Sequence, residues 1–166
     1  ELEFARKELA AKGYDVFIFP SDLSKADTIA PMVDAVLAQY GKIDILINNA
    51  GFGKPGKFAE KPIEDAMEMV TVHVTASIRL SRAALPAMIA NHSGSIINLS
   101  SISAFTAAGG HPNYCATKGY LKNFSEGLAT ETTPSLRHRD YDCPSESNTV
   151  IERSNINVPS KATSTE

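Results

Sequence analysis

Apolar residues along this chain alternate between helical spacing and short continuous runs. Helical spacing over residues 1–12, with Gly13 where a helix would stop, predicts a first helix. The run at residues 15–19 is rich in aromatic and β-branched side chains and predicts a buried strand. A helix, a short loop and a strand in succession are typical of an α/β sheet.

The same alternation continues downstream. A second helix is expected to begin near Asp27, which leaves Pro31 in the first turn, and to end at Gly41. The apolar runs 43–47 and 94–99 predict two further buried strands. Between them, residues 63–90 keep an apolar face over one long helical stretch, and a last helix is expected from about Asn113.

Polar residues follow each predicted strand. Asp22-Leu23 comes after the first, Asn48-Asn49-Ala50-Gly51 after the second, and Ser100-Ser101 after the third. Ligands of open α/β sheets bind at the carboxyl ends of the strands, so these groups are placed to meet a ligand. Each also has a plainer interpretation, because aspartate, asparagine, glycine and serine are common in turns and helix caps.

The last helix carries Tyr114 and Lys118, four residues apart. Residues at this spacing share a helix face, about 6 Å apart along the axis. A lysine held near a phenol favours the phenolate, so such a tyrosine can act as a general acid or base. His73 lies on or beside the apolar face of the long helical stretch, where a histidine is more often a hydrogen-bonded core residue.

Composition excludes several classes of protein. The 166 residues are 43% hydrophobic, which allows one domain with a real core. A net charge of -3 without a Lys/Arg-rich run argues against a nucleic-acid surface. No apolar run reaches the roughly 18 residues that span a membrane. The chain starts at Glu1 without a signal peptide, and Cys115 and Cys143 fit a reducing, cytoplasmic location. We predict no metal site.

The ordered set of motifs resembles the short-chain dehydrogenase/reductase family over about residues 1–133. The resemblance rests on Asp22-Leu23, the Asn-Asn-Ala-Gly run, Ser100-Ser101, and Tyr-x-x-x-Lys, with Ser101 thirteen residues before Tyr114. It implies a Rossmann-like, doubly wound parallel sheet that binds NAD or NADP. It further implies an oxidoreductase that interconverts the hydroxyl and carbonyl forms of a small-molecule substrate.

The resemblance also implies roles for individual side chains. Tyr114 would exchange a proton with the substrate oxygen, Lys118 would favour the phenolate, and Ser101 would orient the substrate oxygen. His73 stands where the family usually has an asparagine that links a water to the lysine, and its role stays open. We include it among the catalytic candidates.

The implied cofactor contacts lie at two strand ends. Asp22 and Leu23 would meet the adenine end, and Asn49, Ala50 and Gly51 the ribose side. Lys118 would hydrogen-bond the nicotinamide ribose, next to Tyr114. The family's deciding residues for NAD against NADP are expected in a part of the fold that this chain lacks.

Two departures from the family pattern shape the prediction. The glycine-rich turn after the first strand is missing, so the fold is expected to be incomplete, with its first strand–helix–strand unit absent. Residues 134–166 turn polar and are expected to form a degenerate or disordered tail. The alternative to a working enzyme is therefore an inactive fragment that keeps the fold and the helices through which family members associate as homodimers or homotetramers. A third possibility, the related epimerase/dehydratase branch, fits the Asn-Asn-Ala-Gly run less well.

Overall fold

A two-stranded parallel unit forms the centre of the molecule. The computed structural model describes residues 1–132, 141–142 and 151–155. Strand β1 (Ile45–Asn48) pairs in parallel with β2 (Ser95–Leu99), and Ile45 lies opposite Ser95. Parallel neighbours need a crossover, and the chain supplies it as the long helical stretch between them. The α/β prediction is therefore confirmed, as a small and incomplete sheet.

Residues 63–90 of the crossover are helical throughout, as predicted. Helix α3 (Ile63–Val70) begins after Pro62, and α4 (Ala76–Ala90) continues it to the turn before β2. One turn of π-helix, Thr71–Thr75, joins them and has His73 at its centre. The periodicity did not predict this turn, and such turns are frequent at functional sites.

Two small apolar clusters hold the helices on the sheet. One has Ala84, Met88 and Ile96 at its centre and joins α4 to β2. The other lies between α4 and helix α2 (Ile29–Tyr40). Helix α2 begins after a single 3₁₀ turn, so Thr28 rather than Asp27 precedes it, and Pro31 lies in its first turn as expected.

The predicted first strand is wrong. Residues 15–19 have no strand pairing, and Phe17 and Phe19 are exposed. The expected burial of the next strand is also wrong on one face, because Ile45 and Ile47 are 61% and 57% exposed. Within the described residues β1 pairs only with β2, so its other edge has no neighbour that would hold residues 15–19 as a strand or cover this face.

Two helices and two short strands lie towards the ends of the chain. Helix α1 (Leu2–Ala11) forms as predicted but buries none of its residues. Helix α5 (Pro112–Thr132) packs against β2, and its Leu128 contacts the apolar cluster shared by α4 and β2. Strands β3 (Tyr141–Asp142) and β4 (Ile151–Asn155) add to the sheet in the order β1-β2-β4-β3, with β4 antiparallel to β2.

These two strands depart from the expected disorder of residues 134–166, since the open edge of β2 offers unpaired backbone groups to β4. The rest of that predicted tail lies outside the described residues. In the part of the chain that is described, no helix is long and apolar enough to cross a bilayer.

Candidate active site

Two hydrogen bonds fix helix α5 to the carboxyl end of β2. The Lys118 ammonium donates to the carbonyl oxygen of Leu99 at 2.7 Å, and the Ser100 hydroxyl donates to the carbonyl oxygen of Lys118 at 2.8 Å. Both side chains are buried. The Lys118 ammonium is therefore held at the strand end and is shielded from solvent.

The buried lysine lies beside the tyrosine, as the spacing predicted. The Lys118 ammonium is 5.7 Å from the centroid of the Tyr114 ring. Burial lowers the pKa of Lys118, because desolvation disfavours the ammonium form. A buried cation therefore lies beside the tyrosine ring.

Ser101 is the second residue after β2 and is almost fully buried. Its hydroxyl oxygen accepts the backbone N–H of Ser103 at 3.2 Å and so caps the short 3₁₀ turn Ile102–Phe105. Ser101 therefore acts as a cap, which is one of the two roles that the sequence allowed. A hydroxyl that accepts a hydrogen bond still has one O–H to donate, but Ser100 and not Ser101 lines the cavity at this strand end.

His73 links three separate segments from a fully buried position. Its Nε2 accepts the backbone N–H of Phe52 at 2.9 Å, and its Nδ1 lies 2.9 Å from the Thr117 hydroxyl. Because Nε2 is the acceptor, the proton of the neutral ring belongs on Nδ1, which donates to Thr117. Thr117 in turn donates to the carbonyl oxygen of Tyr114 at 3.0 Å.

This histidine is neutral at physiological pH. Burial is the main cause that lowers the pKa of His73, to about 4, and the positive charge of Lys118 lowers it further. The Phe52 N–H donates to Nε2 and is satisfied only by the neutral ring. The His73 ring also meets the Tyr114 ring edge to face, with centroids 5.9 Å apart.

Gly51 is pressed against the same histidine. A Cβ atom at Gly51 would stand 2.9 Å from Nε2 of His73, closer than side-chain carbons approach. Glycine thus lets the loop after β1 come close enough for the Phe52 N–H to reach the ring. The Asn-Asn-Ala-Gly run, assigned to a ligand site from sequence, also has this packing reason.

A cavity of about 320 Å³ opens at the ends of the two parallel strands. It brings together four of the predicted site residues, Asn49, Gly51, Tyr114 and Lys118. The remaining lining residues are Phe52, Gly53, Leu99, Ser100 and His111. His111 was not among the predicted site residues, because a histidine in a loop before a helix belongs to no hydrophobic pattern and to no recognised motif.

The predicted adenine contacts lie apart from this cavity. Leu23 and Ala50 line a small separate cavity of about 50 Å³, which Asn49 borders as well. The exposed Asp22 carboxylate accepts the backbone N–H and the hydroxyl of Ser24, at 3.0 and 2.7 Å. These two bonds lower the pKa of Asp22 and fit the turn interpretation.

A buried chain of hydrogen bonds, called the relay below, joins Asn48, Asn98 and Ser125 and was not predicted from the sequence. The Asn98 amide donates to the Ser125 hydroxyl at 2.7 Å, and the Asn98 oxygen accepts from the Asn48 amide at 2.8 Å. A polar residue within the apolar run 94–99 was the available signal. No cluster of three or more potential metal ligands occurs among the described residues.

Comparison with known proteins places these features in one family. The family model for short chain dehydrogenase matches residues 1–137. Nodulation protein G of Rhizobium sp. (strain N33) is 37% identical over 124 residues, which are 74% of this chain and 51% of that protein. The NADP-dependent 3-hydroxy acid dehydrogenase of Schizosaccharomyces pombe (strain 972) is 34% identical over 134 residues, or 79% and 51% of the two chains. This chain thus spans about half the length of these relatives.

Solved structures agree with the sequence comparison. A short-chain dehydrogenase from Streptomyces avermitilis superposes with a TM-score of 0.75 at 35% identity, covering 81% of this chain and 49% of its own. A metagenomic short-chain oxidoreductase in complex with NADP gives 0.76 at 33% identity, covering 80% and 61%. By sequence and by fold, the chain belongs to the short-chain dehydrogenase family.

Proposed function

We propose that this chain carries the proton-transfer half of an NAD- or NADP-dependent oxidoreductase that interconverts a hydroxyl and a carbonyl group. One observation carries the proposal: Tyr114 and the buried Lys118 share a cavity with Asn49 and Gly51, at the carboxyl ends of parallel strands. This is where α/β sheets bind their ligands. The family membership supports the same reaction class.

Tyr114 exchanges the proton. In the reducing direction its O–H protonates the carbonyl oxygen, and in the oxidising direction the phenolate takes the hydroxyl proton. Lys118 supports the phenolate by its positive charge, from the position that its bond to Leu99 fixes. Ser101 is the candidate for orienting the substrate oxygen and stabilising charge on it, but it is only 2% exposed and does not line the cavity, whereas Ser100 does.

His73 positions these groups and does not transfer the proton. A ring with a pKa of about 4 is a weak base at neutral pH, and both of its nitrogens are already engaged. Its bonds hold the loop at Phe52 and, through Thr117, the backbone of Tyr114. We therefore assign His73 a positioning role.

The residues around the cavity fit the nicotinamide end of the cofactor. Gly51 and Gly53 expose backbone without side chains, and Lys118 offers an anchored donor to a ribose hydroxyl. At about 320 Å³ the cavity lies near the lower end of the roughly 300–1,000 Å³ range of small-molecule sites, which suits half a dinucleotide. A bound NAD or NADP supplies or accepts the hydride.

The alternative is an inactive fragment that keeps the fold and the helices used for subunit contacts. The open edge of β1 and the exposed Ile45 and Ile47 favour it, because a sheet with an uncovered face is less stable. Association as a homodimer or homotetramer would then rest on helices α4 and α5.

Turnover of the Tyr114→Phe variant tests the assignment. With a panel of small ketones and NADPH or NADH, we expect the variant to lose at least about 100-fold in kcat/KM, the usual contribution of a positioned acid or base. Tyr120→Phe, a partly exposed tyrosine on the same helix, is the matched control and should keep its activity. Equal turnover by the wild type and Tyr114→Phe would refute the proton-transfer role.

A thermal melt separates the two hypotheses. A ligand that binds only the native state raises its stability, so a cooperative transition that rises with NADPH or NADH identifies a cofactor-binding chain. A broad transition whose midpoint temperature does not change with either cofactor favours the inactive fragment.

A further inference from the structure

A second cavity lies on the other side of Tyr114. Its volume is about 190 Å³, more than ten times the roughly 10–15 Å³ that a single water needs. Tyr114 and His111 line this cavity and the one that holds Lys118. Seven of the fifteen described residues that line it have apolar side chains: Phe58, Ala59, Pro62, Ile63, Ala66, Met69 and Pro112.

The walls of this second cavity are tied together. The backbone N–H of Gly56 donates to the carbonyl oxygen of Gly110 at 2.9 Å, which joins the two loops. The Asn113 amide donates to the carbonyl oxygen of Ala66 at 3.0 Å, which joins the start of α5 to α3. The cavity is thus preformed, so a ligand does not need to order these loops on binding.

Charges at the cavity wall are compensated or face the solvent. The Lys54 ammonium pairs with Asp65 at 2.8 Å and with Glu68 at 2.7 Å. The pKa of Lys54 is raised by its hydrogen bond to Asp65 first and to Glu68 second. Lys61 is exposed, and its aliphatic stem passes close to Gly56. The interior therefore offers mainly apolar contacts.

We propose that this second cavity binds an uncharged, apolar chain of the substrate, attached to the carbonyl carbon whose oxygen meets Tyr114. The inference rests on the proposed function for the position of the reacting group. The shared wall at Tyr114 joins an apolar compartment to a polar one. The substrate class is then a neutral ketone, or the matching secondary alcohol, with an alkyl or aryl arm.

Binding of a series of 2-alkanones, from butanone to nonanone, tests the proposal without turnover. Ligand-observed NMR on the wild-type chain gives a dissociation constant for each member. Each added methylene that enters the apolar cavity should tighten binding about three- to fourfold until the cavity is full. A dissociation constant that stays flat with chain length overturns the proposal.

Filling the cavity supplies the matched comparison. Ala66→Leu should abolish the gain with chain length, whereas Ala83→Leu, an exposed alanine on α4 outside both cavities, should keep it. If Ala66→Leu does not fold, as judged by circular dichroism, Ala59→Leu on the exposed loop replaces it. Persistence of the full chain-length gain in the filled variant overturns the proposal.

Cofactor binding is measured separately on the same samples. A chain that responds to NADPH or NADH in a melt but shows no chain-length gain contradicts the second cavity alone. A chain-length gain without any cofactor response supports an apolar site and contradicts the proposed function.

Discussion

Acid should destabilise this protein through His73 in particular. The ring is fully buried, and its Nε2 accepts the Phe52 N–H at 2.9 Å. A protonated ring carries a hydrogen on both nitrogens, so it can no longer accept this bond. The added charge would also stand near the Lys118 ammonium, which already lowers the pKa of His73.

The size of the effect follows from the pKa. Lowering it from 6.5 to about 4 means that, between these pH values, the unfolded chain binds more protons than the folded one. The free energy of unfolding therefore falls as the pH falls through this window. The loss amounts to roughly 2 kcal/mol at pH 5 and approaches about 3 kcal/mol below pH 4.

Urea denaturation of the wild type and His73→Asn isolates this contribution. Carboxylates titrate in the same window, but they titrate in both proteins, so they cancel in the difference of their unfolding free energies. Asparagine cannot take up the proton, and its amide oxygen can accept from Phe52. The wild type's advantage over the variant should shrink by roughly 2 kcal/mol between pH 7.5 and pH 5.

His92→Asn is the control for this experiment. His92 is exposed and has a positive φ of 50°, a conformation that asparagine tolerates. Its replacement should leave the pH dependence of unfolding as in the wild type. If the difference between wild type and His73→Asn does not change with pH, the neutral, buried histidine is the wrong description.

Three further substitutions probe the packing around the site by urea denaturation. Gly51→Ala should cost about 1–3 kcal/mol, because its Cβ would stand 2.9 Å from Nε2 of His73; an unchanged midpoint would contradict the close approach. Asn98→Leu should cost about 1–3 kcal/mol by removing the buried acceptor of the Asn48 amide, and a neutral result would contradict the relay. A Cβ at Gly127, an exposed position within α5, would meet nothing within 4 Å, so Gly127→Ala should stabilise by about 0.5–1 kcal/mol.

Local patterns predicted the helices and the position of β2. The stretch Ile63–Val70 and its continuation Ala76–Ala90 keep one apolar face, and helical periodicity is a property of neighbouring residues alone. The π-helical turn between them was not predictable in this way. It centres on His73, whose hydrogen bonds reach Phe52 and Thr117, and no spacing along the helix encodes those partners.

The failure at residues 15–19 has a different cause. Their aromatic and β-branched side chains suit a strand, but strand preference reflects packing against a neighbour on the sheet. That neighbour is not present beside β1 in the described chain. The missing glycine-rich turn indicates that one strand–helix–strand unit is absent. A strand at residues 15–19 would need that unit as its neighbour in the sheet.

For the candidate site the sequence predicted residues but not their hydrogen bonds, and the roles of those residues stay predictions. Tyr114 and Lys118 are four positions apart, a spacing that places both on one helix face. The acceptor of the lysine, the Leu99 carbonyl, lies nineteen positions away in sequence. The two bonds of His73 likewise span 21 and 44 positions, so only the fold reveals them.

Strand β1 is the element most affected by the incomplete sheet, because it lies at the sheet edge and one of its faces is uncovered. Ile45 and Ile47 point to the uncovered face, while Asn48, on the other face, is buried. The relay through Asn98 fixes the orientation of the Asn48 amide, because the Asn98 oxygen accepts from its nitrogen. Within the described residues the buried Oδ1 of Asn48 then accepts no hydrogen bond. An uncovered apolar face and an unsatisfied buried acceptor on one strand both lower the stability of this fold.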